Sequence, residues 1–287
     1  MKTTNFHNLE CVILENEQVQ ILVPKVLGPR ILSLRFQGGE NLLAELPDFV
    51  TERPDGVTYH FHGGHRFWIA PEDPIRSYAL DDGAVDISPT ETGLLVRQPV
   101  EEETGMEKSI LIHLDPRMAS LTLVHTLTNR NSLPVEWAPW TITQLRSGGV
   151  AILPQTRAHT GLLPNRLLSL WSYADINSPR LRLGNQFIFL YAQAQKPIKI
   201  GFPNPRGWLA YWLAGTLFVK RAEFDPQGNY PDFGSSSECY CNQSFLELET
   251  LAPMVRLDPD APITHTETWE LHTNTPFPED ELAMLAI

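Results

Sequence analysis

Along much of this chain apolar and polar positions alternate with a period near two, in short runs. In Leu121-Thr-Leu-Val-His-Thr-Leu-Thr128, leucines and His125 share one face and threonines the other. That pattern, rich in β-branched threonine, fits a pleated, half-buried strand far better than a helix. The segment Ile263-Thr-His-Thr-Glu-Thr-Trp-Glu-Leu271 alternates more cleanly and sends His265, Glu267 and Trp269 to one face. Further strand-like runs are Cys11 to Leu14, Val19 to Val23, Ile31 to Phe36, Gly93 to Val96, Ser109 to Leu114, Phe187 to Ala192, Trp208 to Trp212 and Thr216 to Lys220. Helical periodicity is confined to the end. There Pro278 precedes Glu279, Asp280 and Glu281, acidic groups that complement a helix N-terminus, and the pattern predicts a short terminal helix.

The 24 prolines and 18 glycines in 287 residues supply the turns that so many short strands need. No Ser/Gly linker, charge block or repeat of fixed period divides the chain, which predicts a single all-β domain over residues 1–287, built of packed sheets. Its 34 acidic residues against 22 basic ones give a formal charge of -12, which repels a phosphate backbone and argues against a nucleic-acid partner. The opening MKTTNFHNLE has no apolar core and no run approaches a membrane span, so the expectation is a cytoplasmic protein without a membrane partner. Cys11, Cys239 and Cys241 form neither a disulfide framework nor a zinc motif and read as reduced structural thiols.

The densest chemistry lies in His60-Phe-His-Gly-Gly-His-Arg-Phe-Trp-Ile-Ala-Pro-Glu72. Paired glycines permit a tight turn from which His62, His65 and Arg66 can converge on a ligand, Arg66 offering a rigid fork of donors. The His60-x-His62 spacing is that of a cupin metal motif, but Glu72 falls too far along, and the reading carries no metal. A bland alternative is a turn whose histidines bond neighbouring backbone. A second signal is Phe245-Leu-Glu-Leu-Glu-Thr-Leu-Ala-Pro253, where Glu247 and Glu249 share a strand face about 7 Å apart. Like charges at that range raise one pKa and suit acid/base work or sugar hydroxyls, although paired carboxylates on an exposed face are also common.

Seven tryptophans supply flat faces on which sugar C–H groups stack; Trp137 and Trp140, an odd number apart, face oppositely on a continuous strand unless Pro139 introduces a bulge, and the residues alone leave open which of them lines a cleft. His125 shares its face with Leu121, Leu123 and Leu127 and reads as a core histidine. The chain contains no Gly-x-Ser-x-Gly elbow, P-loop or dinucleotide fingerprint, and no cofactor is called for.

The segments Leu27-Gly-Pro-Arg-Ile-Leu-Ser-Leu34, Gly63-Gly-His-Arg66, Leu127-Thr-Asn129, Tyr230-Pro-Asp232 and Leu248-Glu-Thr250 resemble, in residues and order, landmarks of the galactose mutarotase (aldose 1-epimerase) superfamily. HGGHRFWIAPE, WAPWTITQL, YPDFG and FLELETLAP are similar to an uncharacterised branch of it. The resemblance implies a β-supersandwich with a curved, sugar-binding face, Arg66 holding the sugar and Glu249 as catalytic base. Glu247, Trp140, Lys220, Tyr230, Asp232 and Glu238 join Arg66 as expected substrate contacts. Where mutarotases carry an Asn-His pair, this chain has Val135-Glu-Trp-Ala-Pro-Trp140, so His62 or His65 is the expected stand-in for the acid. Three readings stand: an aldose 1-epimerase, a non-catalytic sugar-binding or sensing protein, and a hydrolase or lyase on the same fold. In each the partner is a small sugar or sugar derivative.

Overall fold

The alternating segments are strands in the computed structural model, which describes residues 1–278 and 283. The helix expected after Pro278 falls outside the described residues. Ser120–Asn129 and Pro262–His272 pair antiparallel, placing His125 opposite His265 and Leu123 opposite Glu267. As the period of two dictates, His265, Glu267, Trp269 and Leu271 are buried while Thr264, Thr266 and His272 are exposed.

Two large antiparallel sheets dominate the described residues, one of ten strands and one of eight. The ten-stranded sheet carries Thr216–Ala222, Pro262–His272, Ser120–Asn129 and Met106–Leu114 side by side at its centre. The order Ile198–Phe202, Ser237–Cys241, Phe245–Leu251, Val135–Arg146, His65–Ala70 runs through the eight-stranded sheet. One face of each sheet meets the other around a core that includes Ile110, Leu123, Ile200, Leu248 and Trp269. Trp269 is fully buried, and its truncation to alanine costs about 3–5 kcal/mol on the scale of large aromatic core deletions. A four-stranded sheet at the N-terminal end and the ribbon of Glu45–Glu52 with Thr58–Gly63 complete the strand set.

His65–Ala70 was legible as chemistry but not as a strand. Every residue in it is buried, so no polar position marks a second face. Val150–Pro154 escapes pattern reading for the same reason. The turn feeding His65–Ala70 needs its two glycines. Gly63 and Gly64 have φ of +85° and +78°, and a Cβ on them would lie 1.9 Å from Ala44 O and 2.2 Å from Ile31 O. That double glycine swings the chain from the ribbon into the eight-stranded sheet and delivers Arg66 to the sheet's outer face.

Candidate functional site

The outer face of the eight-stranded sheet forms a cleft floor, and strand alternation decides which residues reach it. Arg66 and Trp68 point outward from His65–Ala70, while His65 and Phe67 point into the sandwich. From Val135–Arg146 come Trp140 and Ile142, and from Phe245–Leu251 come Phe245 and Glu247. Pairing places Ile142 between Arg66 and Glu249, and Glu249 beside Glu238. Above this floor is a cavity of about 590 Å³, walled by Phe61, Tyr78, Trp171 and Tyr173 and by Val50 and Thr51 of the ribbon.

Arg66 Nη2 donates to Glu247 Oε1 at 2.9 Å, and Gln144 Nε2 donates to the same oxygen at 3.0 Å. The guanidinium carbon of Arg66 lies 4.3 Å from the Trp68 ring centroid, within cation–π range. Its Nε and Nη1 are buried and have no hydrogen-bond partner. Burial pushes the Glu247 carboxyl up to about 7, against the pull of Arg66 and with the help of Glu249. Glu247 therefore exchanges its proton near neutral pH.

Lys199 is the second anchor of the floor. Its Nζ lies 2.8 Å from Glu238 Oε2 and 3.1 Å from Glu249 Oε2, between the rings of Trp140 and Trp171 at 4.6 and 4.7 Å. Burial alone would pull the ammonium down, but Glu238 and Glu249 together hold it well above the ordinary lysine value. Burial, with Glu249 alongside, pushes Glu238 well above the carboxylate range despite Lys199. Trp140 Nε1 also donates to Glu249 Oε2, at 2.8 Å. Sequence reasoning missed Lys199. The signal was present, as a lysine flanked by Ile198 and Ile200 in an apolar run.

Among the residues singled out from sequence, Arg66, Glu247 and Trp140 line this cavity. Glu249 and Glu238 lie fully buried beneath it, covered by Lys199 and Trp140 rather than open to the cavity. Asp232 lines an adjoining cavity. Tyr230 packs with Trp68 and Trp140, and its hydroxyl accepts from the Asp225 backbone N–H at 2.9 Å.

His62, His65 and Lys220 are placed elsewhere. His62 stacks on His60 at 5.6 Å in the ribbon and lines neither cavity. His65 and Lys220 face the sandwich interior because their alternation, on His65–Ala70 and Thr216–Ala222, sends them inward. There His65 Nε2 meets His125 Nε2 at 2.8 Å, His265 Nε2 meets Thr250 Oγ1 at 2.7 Å, and Lys220 Nζ lies 2.9 Å from Glu267 Oε1. Lys220 Nζ also donates to Thr143 Oγ1 and Leu248 O, and Trp269 Nε1 donates to Glu267 Oε2. His65, His125 and Glu267 bring ligand-type atoms within 4.8 Å of one another, but Lys220 supplies the cation that Glu267 needs. Burial alone would raise Glu267, yet Lys220 and the three histidines hold it well below the usual carboxylate range. This network ties the two sheets together without touching the cleft.

Solved structures with the same architecture exist. A TPR-domain containing protein from Parabacteroides distasonis superposes over 94% of this chain with a TM-score of 0.66 and 15% identity. This chain spans only 48% of that one. Galactose 1-epimerase from Lactobacillus acidophilus matches 95% of this chain and 98% of its own length, with a TM-score of 0.54 and 12% identity. This chain has the galactose mutarotase-like fold. A galactose mutarotase-like protein from Lactobacillus casei covers 91% of the chain with a TM-score of 0.53 and 12% identity. No protein-family model matches the sequence, and no curated protein does. The mutarotase-like sandwich is the expected all-β supersandwich, with the Arg66–Glu247 cleft on the outer face of one sheet. Among the described residues no helix is long and apolar enough to cross a membrane.

Proposed function

We propose that this protein binds an unphosphorylated aldose in the cleft over Arg66 and Glu247. The observation that carries the reading is the buried Arg66 guanidinium, pinned to Glu247 through Nη2 and stacked on Trp68 while Nε and Nη1 stay unpaired. Buried donors without partners are costly, and sugar hydroxyls are partners of the right size and polarity. Beside them stand a carboxyl group and the partly exposed ring of Trp171, which suits the C–H face of a pyranose. The pairing of the floor's cations supports a neutral ligand. Both cations of the floor are already paired, Arg66 with Glu247 and Lys199 with Glu238 and Glu249, so neither stands free to receive a phosphate. The mutarotase-like fold, which the galactose 1-epimerase from L. acidophilus shares, adds to the same reading.

One observation favours a second reading, aldose 1-epimerase. Opening a sugar ring at the anomeric carbon needs a base for the hydroxyl and an acid for the ring oxygen, and a group titrating at the working pH serves best. Glu247, pushed up to about 7 at the cavity surface, meets that requirement for one of the two roles. Saturation-transfer NMR on a panel of free aldoses tests binding, and exchange spectroscopy between their anomers tests turnover. Saturation transfer without accelerated exchange identifies a binding protein, and both together an epimerase. Neither signal from any aldose defeats the proposal.

A further inference from the structure

We infer that the ligand is a neutral saccharide of at least two units, with its second unit in an outer cavity that continues the cleft. This rests on the aldose reading of the inner cavity and extends it. The outer cavity has about 550 Å³ and shares Thr51, Glu72, Tyr78 and Trp171 with the inner one of about 590 Å³. Each volume falls within the roughly 300–1,000 Å³ of a small-ligand site, so a lone monosaccharide leaves one of the two unfilled. Trp171 stands at the junction and borders both cavities, so its ring is placed to contact both units of a disaccharide.

The outer wall is built for hydroxyls rather than for anions. It presents Glu52, Glu72 and Asp232, while its one cation, Arg53, is bound to Glu103 Oε2 at 2.7 Å and to Asp55. A uronate or sulfated sugar would meet three carboxylates and no available positive charge, whereas neutral hydroxyls would meet acceptors and the apolar rims of Pro54 and Pro74.

Asp232 is held in place at a conformational cost. Its φ of +50° and that of Phe233 at +60° put two consecutive non-glycine residues in the left-handed region, a strain of order 1–3 kcal/mol each that persists only where surroundings impose it. What imposes it is visible: the Asp232 carbonyl accepts from Ser169 Oγ at 2.7 Å and from Ser235 Oγ at 2.8 Å. The carboxylate itself has no hydrogen bond or ion pair among the described residues and lines the outer cavity. Strain that fixes an unpaired carboxylate in a cavity wall is accounted for by a ligand that uses it.

Isothermal titration with glucose, galactose, maltose, cellobiose and lactose tests the inference. The expected result is that at least one disaccharide binds tenfold or more tightly than its own monosaccharide. In Asp232→Asn, which keeps an asparagine in the left-handed region it tolerates, that advantage should shrink to under threefold. Glu52→Gln, at an exposed position, provides a second reading should Asp232→Asn fold poorly. If monosaccharides bind but no disaccharide binds more tightly, or if neither variant reduces the advantage, the second subsite is refuted and the aldose reading stands. If no sugar of either length binds, the aldose reading itself fails.

Discussion

Arg66 and Glu247 stand 181 residues apart in the chain and meet at 2.9 Å across the Val135–Arg146 strand, whose Gln144 bonds the same Glu247 oxygen. Both are almost fully buried. Removing Arg66 leaves the buried Glu247 carboxyl without its donor, and a buried polar group deprived of its partner costs about 1–3 kcal/mol. Arg66→Ala should therefore destabilise the protein by that order in chemical denaturation. Arg66→Lys keeps the charge but loses the planar fork. It should fold with a smaller penalty and bind sugar at least tenfold more weakly, as measured by titration calorimetry.

Glu247 has a pH signature with a definite sign. Its carboxyl is raised to about 7 in the folded protein, chiefly by burial, so between about 4.5 and 7 the folded state holds a proton that the unfolded chain has lost. Its contribution to stability is complete below the unfolded value and is lost as pH rises through the folded one. Glu247→Gln stays neutral and escapes that loss. Denaturation of both proteins from pH 5 to pH 8 should show the variant gaining on the native protein by about 2–3 kcal/mol as pH rises. A gap independent of pH would mean that Glu247 does not titrate in this window.

Lys199 serves two carboxyl groups at once. Lys199→Met should cost about 3–5 kcal/mol, because Glu249 loses an ionic partner while it stays buried. Adding Glu249→Gln should recover part of that loss. A double-mutant cycle on unfolding free energies measures the coupling, and a coupling near zero would contradict the contact.

The interior network gives the opposite pH dependence. Burial is the main reason that His125 is pushed down to about 4 and His265 to about 3. A histidine lowered in this way contributes stability that is complete above about 6.5 and is lost as pH falls towards its folded value. Replacing His125 with glutamine should remove about 2 kcal/mol of the native protein's decline between pH 7 and pH 5, while leaving sugar affinity unchanged in protein that remains folded.

Much of the fold was legible because alternation survives wherever one face of a strand is wet. Ser120–Asn129 and Pro262–His272 show it, whereas in Phe245–Leu251, buried on both faces, the carboxylates alternating with leucines marked the two faces. His65–Ala70 is buried on both faces and leaves no alternation to read, and Lys199 went unnoticed because a lone lysine in a five-residue run carries no sign that its partners are Glu238 and Glu249. The histidines failed for another reason. Sequence proximity to Arg66 suggested that His65 shares its site, but adjacent strand residues point to opposite faces, so nearness of one residue sends it to the other side of the sheet. Lys220 and Glu267 form their own pair inside the sandwich, and nothing local in the sequence marks that partnership.

The most direct measurement is a crystal structure of the protein soaked with the aldose that binds best. The expected result is a pyranose against Trp171, with hydroxyls within hydrogen-bond distance of Arg66 and of Glu247. A sugar bound away from that pair, with the cleft over Arg66 left to solvent, would contradict it.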